Sequence, residues 1–237
     1  MAVHLNNQED FIKLDYKKVK ENKKGVLRGW DMSYFYRVFD LVFSLFAIVI
    51  FMPIMLIIAV LIKVNSPEGG VLFKQKRLGL DGKLFSVYKF RTMLHDAEER
   101  LKVMLETDEE VRKEYLRFRK LKNDPRIIPT IGNFLRKSSL DELPQFFNVV
   151  LGQMSLVGPR PYIQNEFDIY PTNLQLKIVT AVKPGITGYW QVTPERHDTT
   201  FESRVDKDIE YIEKKSFPLN MEIIVKTVQV MVLRKGA

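Results

Sequence analysis

The segment VFDLVFSLFAIVIFMPIMLIIAVLI, residues 38–62, decides the fold class because it is long, apolar and carries a single charge, Asp40. About 20 apolar residues are enough for a helix to cross the hydrocarbon core of a bilayer. The segment therefore predicts a membrane-embedded helix. Two paths are open to it, a single span or a re-entrant path that returns to the side it entered from.

Two features of this segment favour the re-entrant path. Pro53 lies near its middle, where it removes a helix hydrogen bond and kinks the backbone. Basic residues also flank both ends, whereas a spanning helix is expected to carry its Lys/Arg excess on one side. These residues are Lys17, Lys18, Lys20, Lys23, Lys24, Arg28 and Arg37 before the segment, and Lys63, Lys74, Lys76 and Arg77 after it. We therefore expect a re-entrant helix over 35–64 with both ends on the cytoplasmic side.

The composition of the chain restricts the class of partner. Lys and Arg total 37 and Asp and Glu total 29, which gives a formal net charge of +8. Such a surface favours nucleic acid, phospholipid head groups or phosphorylated small molecules. Because the chain has no cysteine, disulfides and thiolate metal sites are excluded. We expect residues 1–34 to form a basic flexible arm without a cleavable signal peptide, since this stretch has no apolar h-region.

The remaining residues, 65–237, predict one domain that begins with a β-hairpin. Short alternating runs in VLFKQKRLGLDGKLFSVYKFRTM (71–93) surround the turn residues Asp81-Gly82. Apolar residues then follow helical spacing over 94–122, and a capping box of Thr107 with Glu110 predicts a break into two helices near Thr107. The apolar stretch 217–234 is either a core helix or one lying along a membrane surface.

Asp141 and Glu142, in SSLDELPQ (138–145), are the most informative acidic pair. If Asp141 is the N-cap of a helix, Pro144 falls at the third helical position, where its missing amide costs nothing. We therefore expect Asp141 at or beside a helix start, held ionised by the amide dipoles. That position suits a structural cap, a magnesium ligand and a carboxylate nucleophile equally well.

Three basic motifs could bind phosphate. Pro159 and Pro161 fix the backbone on both sides of Arg160, which is either a rigid phosphate-binding arginine or part of an ordinary turn. The stretch KPGITG (183–188) is likewise either a phosphate-binding turn or merely a turn. Lys89 and Arg91 lie on alternate residues of a predicted strand, so they share a face that meets either an anionic site or solvent.

The motifs together resemble those of the bacterial sugar transferase family. The ordered series is FKQKRLGLDGKLFSVYKFRTM, NDPRI, LRKSSLDELPQFFNVVLGQMSLVGPRP and KPGITGYWQV, within residues 35–234. These family members are monotopic phosphoglycosyl transferases that start capsule, O-antigen and exopolysaccharide repeat units. The resemblance implies an α+β fold, predominantly helical with a small β-hairpin, a proline-kinked re-entrant helix and amphipathic interfacial helices.

The resemblance also implies a reaction and a set of site residues. Asp141 would attack the β-phosphate of a UDP-hexose, release UMP and pass the hexose-1-phosphate, galactose or glucose, to polyprenyl (undecaprenyl) phosphate, with Glu142 positioning the metal or the acceptor. Mg²⁺ on Asp141 would be the cofactor, and the site would face the cytoplasm at the bacterial inner membrane, among its phospholipids. Residues implied to bind phosphate are Lys89, Arg136, Arg160 and Arg196, and Asp208 is implied to be structural.

The sequence departs from the family pattern at two places. Met52 stands where a serine often precedes the kinking proline, and Thr193-Pro194-Glu195-Arg196 replaces the usual turn of a small residue, glycine and arginine. A catalytically silent, membrane-anchored binding module is the alternative function, but its mark would be a lost acidic pair. A nucleic-acid-binding protein is disfavoured by the apolar segment. The sequence makes no prediction of oligomeric state.

Overall fold

The computed structural model describes residues 32–118, 121–163, 173–193 and 200–232. The described chain is predominantly helical with two small two-stranded sheets, which confirms the expected balance of helix and hairpin. Its helices are α1 (Met32–Asn65), α2 (Ala97–Thr107), α3 (Glu109–Phe118), α4 (Ile131–Ser138), α5 (Gln145–Val150), α6 (Asn173–Val179), α7 (Phe201–Lys214) and α8 (Phe217–Val232). Its strands are β1 (Leu72–Leu78), β2 (Leu84–Phe90), β3 (Ser155–Val157) and β4 (Gly185–Thr187).

Helix α1 contains the whole apolar segment and runs without interruption through Pro53. Among the described helices, it is the one long and apolar enough to cross a membrane. Most of its large apolar side chains are exposed, Phe46 by 63% and Val49 by 72%. A core helix of a soluble protein would bury these side chains, so the exposed surface is compatible with a membrane location.

The described residues fall into two compact units. The first unit comprises 32–50, 74–88 and 145–232, and the second comprises 51–73 and 89–144. The N-terminal residues 1–31, for which we expect a basic arm, lie outside the described part of the chain.

The core of the first unit surrounds the parallel pair β3–β4, in which Ser155 is paired with Gly185 and Val157 with Thr187. Glycine is required at position 185, because an added Cβ would lie 2.1 Å from the backbone nitrogen of Gly158. Gly185 of KPGITG therefore allows two backbones to approach closely. This structural role corresponds to the plain turn, and not to the phosphate-binding turn, of the two alternatives above. Apolar side chains of β3 and of three helices fill this core: Leu156, Val157, Ile178, Tyr211, Ile212 and Ile223.

Helix α8 belongs to this core. Ile223 is buried within it, and buried Asn220 accepts a hydrogen bond of 2.9 Å from the Tyr211 hydroxyl. One face of the C-terminal stretch therefore packs in the core, while Val225 and Val228 are exposed. The β1–β2 hairpin turns as predicted at Asp81 and Gly82, which both have positive φ.

The second unit contains the predicted break between two helices, with a different capping residue. Asp108, not Thr107, caps α3, because its Oδ1 accepts hydrogen bonds from the backbone amides of Glu110 and Val111. Thr107 instead donates its hydroxyl to the Val103 carbonyl inside α2. A capping side chain must leave the preceding helix, and Thr107 is still inside it.

Candidate active site

Asp141 and Glu142 lie in a single 3₁₀ turn, Leu140–Glu142, between α4 and α5. Ser139 ends α4 in the left-handed conformation, with φ 56°. Helix α5 begins at Gln145, directly after Pro144. Asp141 therefore lies beside a helix start, as expected, in the first turn of the 3₁₀ helix. It is not the N-cap, because Ser139 holds that position and Pro144 directly precedes α5. Both carboxylates remain on one short turn, where adjacent side chains can serve the same site.

Two basic residues predicted to bind phosphate lie around this turn. Lys89 Nζ, on β2, donates a hydrogen bond to Glu142 Oε1 at 2.5 Å. Arg136, in the last turn of α4, donates from Nε to Thr92 Oγ1 at 2.9 Å and acts electrostatically on Asp141. The second unit thus brings together four predicted site residues, Lys89 from β2 and the other three from residues 136–142.

A glycine allows α4 to approach closely enough to place Arg136. A Cβ on Gly132 would lie 2.5 Å from the Thr92 carbonyl oxygen, so the helix packs directly on the backbone that follows β2. Arg136 follows Gly132 by four residues and therefore lies on the same face of α4. Thr92 was not identified from the sequence, because no motif connects it with Arg136.

The electrostatics of the turn differ from the sequence prediction. Burial, followed by the neighbouring charge of Glu142, raises the pKa of Asp141 to about 6, while Lys89 and Arg136 act in the opposite direction. Desolvation and a like charge outweigh the amide dipoles, so the pKa of Asp141 is raised and not lowered as the dipoles alone would imply. A carboxylate with this pKa is still mostly ionised at neutral pH, and it is poorly solvated.

Arg91 serves a different purpose from Lys89, although the two share a strand face in the sequence prediction. Its buried guanidinium donates to the carbonyls of Ser66 and Gly70 and to the Ser66 hydroxyl. These groups directly follow the end of α1 at Asn65. Arg91 therefore fixes the exit of the long helix within the second unit, and Lys89 is the residue that contacts the acidic pair.

A buried ion pair near Arg136 was also missed by the sequence prediction. Asp124 and Arg126, in NDPRI, form a buried bidentate pair with distances of 2.8 and 2.7 Å. The charge of Asp124 acts on Arg136 more strongly than that of Asp141 does. Asp124 therefore favours the charged form of Arg136, and Arg126 acts in the opposite direction. The NDPRI motif could have indicated the pair, since Asp and Arg two residues apart suit a local ion pair.

In the first unit, Asp208 accepts a hydrogen bond from the backbone of the Pro159-Arg160-Pro161 turn. One oxygen of this fully buried carboxylate, Oδ2, accepts hydrogen bonds from the Arg160 amide at 2.9 Å and the Tyr162 hydroxyl at 2.7 Å. Burial raises the pKa of Asp208 to about 7, against the lowering effect of those two bonds. Asp208 thus fixes the backbone at Arg160, which is the structural role that the resemblance implies for it.

The guanidinium of Arg160 packs over the indole of Trp190, 5.7 Å from the ring centre. Trp190 is the aromatic residue of the WQV motif, and its contact with the arginine was not foreseen. Arg196, also predicted to bind phosphate, lies in 194–199, outside the described residues.

The acidic turn suits a magnesium ion that is completed by substrate. Within the described ranges, no three His, Cys, Asp or Glu side chains cluster as a protein-only metal cage. Mg²⁺ is usually held by one or two carboxylates together with phosphate and water oxygens. The adjacent carboxylates of Asp141 and Glu142 offer that donor set.

Comparison with known proteins decides the family. Residues 32–234 match the sequence profile described as bacterial sugar transferase. The chain belongs to the bacterial sugar transferase family.

Named relatives in this sugar transferase family are similar over most of the chain. The undecaprenyl-phosphate galactose phosphotransferase of Salmonella typhimurium is 42% identical over 85% of this chain and 41% of its own length. The UDP-glucose:undecaprenyl-phosphate glucose-1-phosphate transferase of Klebsiella pneumoniae is 39% identical over 89% of this chain and 43% of its own length. The exopolysaccharide production protein ExoY of Rhizobium meliloti is 36% identical over 85% of this chain and 87% of its own length. The chain thus spans less than half the length of the first two relatives.

Proposed function

We propose that this sugar transferase moves hexose-1-phosphate from a UDP-hexose to undecaprenyl phosphate through a covalent intermediate on Asp141. The observation that carries the proposal is the turn in which Asp141 and Glu142 lie beside Lys89 and Arg136. The printed names of the relatives supply the substrate classes, a UDP-sugar and undecaprenyl phosphate. The hexose would be galactose or glucose, and the lipid-linked product would start a capsule, O-antigen or exopolysaccharide.

The reaction proceeds in two displacements at one phosphorus atom. First, the Asp141 carboxylate forms a bond to the β-phosphorus of the UDP-hexose, and the bond from that phosphorus to the bridging oxygen breaks. The bridging oxygen keeps the electron pair and leaves as part of UMP. Next, a phosphate oxygen of undecaprenyl phosphate bonds to the same phosphorus and the bond to Asp141 breaks, which restores the carboxylate. Two displacements let a soluble donor and a membrane-bound acceptor use one site in turn.

The raised pKa of Asp141 suits this role. A partly buried carboxylate is weakly solvated, so less solvation is lost when it attacks phosphorus. Lys89 and Arg136 offset the negative charge that the carboxylates and phosphates bring together. Lys89 also orients Glu142. In this proposal Asp141 is the attacking group, and Glu142 positions the metal or the acceptor.

Asp141, with Glu142 beside it, would hold a magnesium ion, which would supply positive charge to offset the phosphate oxygens. We expect excess chelator to abolish UMP release and added Mg²⁺ to restore it. Full activity in excess chelator would remove the metal from the proposal.

The membrane setting is a further part of the proposal. Helix α1 would enter the bacterial inner membrane from the cytoplasmic face and return to it, with the bend at Pro53. Its exposed apolar surface and the basic flanks on both sides support this path. The active site would then face the cytoplasm, where UDP-sugars are found.

Intact mass spectrometry tests the covalent step. Purified protein incubated with UDP-hexose and Mg²⁺, without acceptor, should gain the mass of one hexose phosphate and release UMP. Asp141→Asn should do neither. Asp81→Asn is the matched control, because Asp81 is an exposed hairpin residue whose left-handed conformation asparagine tolerates. Normal UMP release by Asp141→Asn would refute the proposed nucleophile.

A further inference from the structure

A cationic pair lies in the first unit near the start of the long apolar helix. Arg37, on α1, donates from its guanidinium to the carbonyls of Val149 and Val150, at the end of α5. The guanidinium is thereby fixed in place. The next turn of α1 is fixed as well, since Asp40 accepts hydrogen bonds from Ser155 Oγ and the Leu156 amide.

Lys183 brings a second positive charge to the same place. Its Nζ lies 3.8 Å, and Arg37 Nη2 3.5 Å, from the point where a Cβ of Gly152 would be. The lysine is half-buried, and burial together with the charge of Arg37 lowers its pKa. Lys183 Nζ has no hydrogen-bond partner among the described residues, and Asp40, the acidic residue whose charge acts on it, already accepts two hydrogen bonds.

Exposed apolar residues lie next to this pair in the sequence. Val38, next to Arg37, is 40% exposed, and Leu151, next to Gly152, is 61% exposed. Leu151 belongs to the turn that Arg37 caps. Two half-buried cations on segments that also carry exposed apolar side chains match an amphiphile with a negative head group, whereas a soluble anion would leave the apolar residues in water.

We infer that Arg37 and Lys183 form a binding site for the phosphate of an anionic membrane lipid, separate from the acidic turn. The site rests on the membrane setting proposed above. It would bind the head group while the acyl or prenyl chains follow the apolar surface of α1. Its ligand is either an anionic phospholipid or the polyprenyl phosphate carrier, which share this head-group chemistry.

Native mass spectrometry of the detergent-solubilised protein tests this site. Wild-type protein should retain phosphatidylglycerol in preference to phosphatidylcholine. Lys183→Gln should reduce that preference by about fivefold, since one basic residue near an anionic membrane contributes about that factor. Lys183→Arg should keep it. Lys177→Gln, an exposed lysine on α6, removes the same charge and should bind as wild type does.

Competition identifies the source of the phosphate. If substoichiometric undecaprenyl phosphate displaces phosphatidylglycerol, and the displacement depends on Lys183, the site belongs to the carrier. If bound phosphatidylglycerol resists displacement, the site belongs to phospholipid. Displacement by millimolar inorganic phosphate would overturn a lipid site, as would unchanged lipid preference in Lys183→Gln. Asp141→Asn should bind lipid normally without forming an adduct, so failure of this site and failure of the transfer reaction are distinguishable.

Discussion

Lys89 Nζ lies 2.5 Å from Glu142 Oε1, although 53 residues separate them in the sequence. The contact commits the lysine to Glu142, whereas burial and the charge of Glu142 raise the pKa of Asp141 to about 6. The two members of the acidic pair thus have different surroundings, as expected where adjacent carboxylates have different roles.

Replacing Lys89 with methionine should slow UMP release by roughly 100-fold, because an electrostatic contact at the reaction centre is lost. It should also raise the pKa of Asp141 further, so the rise of activity with pH should move to higher pH. Lys89→Arg should restore part of the rate. Lys83→Met, an exposed lysine of the same hairpin, is the control. An unchanged pH profile in Lys89→Met would contradict the assigned contact.

Asp208 should make the stability of the protein depend on pH. Its pKa is about 7 in the folded state against 3.8 in the reference state, so the folded state binds the proton more tightly. The unfolding free energy of wild type should therefore fall as pH rises from about 4 to about 7, by an amount of order 3 kcal/mol. Asp208→Asn should remove this fall, measured as melting temperature between pH 5 and 8.

Glu213→Gln, at an exposed position on the same helix, should retain the wild-type pH dependence. Parallel curves for wild type and Asp208→Asn would show that the Asp208 carboxylate does not titrate in this range.

Arg91 should be required for stability, and lysine should not replace it. A lysine keeps the charge and loses the planar group that reaches Ser66 and Gly70 at once, so buried carbonyls are left unpaired. Arg91→Lys should cost about 2 kcal/mol of unfolding free energy. Arg112→Lys, in an exposed ion pair on α3, should change the melting temperature little. Equal melting temperatures for the two variants would contradict this role.

Both ends of α1 should face the cytoplasm. Single cysteines at Lys20 and Lys74 can be introduced cleanly, because the chain has none. A membrane-impermeant maleimide should label neither cysteine in intact spheroplasts and both in permeabilised cells. Pro53→Leu should shift the helix toward spanning, since it removes the residue that favours a bend and a straight apolar helix of this length fits the bilayer. Labelling of the residue-20 cysteine from outside would establish a span instead.

Much of the local structure could be predicted from neighbouring residues. The apolar run 38–62 predicted α1, the residues Asp81-Gly82 predicted the hairpin turn, and the break near Thr107 was predicted to within one residue. These features depend on hydrophobic length and on backbone preferences, which act within a few residues. The family motifs likewise identified Asp141 and Glu142 as the acidic pair.

The sequence by itself therefore determined the long helix, the hairpin and which residues could carry the chemistry. Only the tertiary structure decided that Lys89 contacts Glu142 while Arg91 fixes the end of α1, and that Asp141 has a raised pKa. The physical reason is that desolvation and charge pairing depend on groups brought together from distant parts of the chain, whereas a backbone turn depends on its own residues.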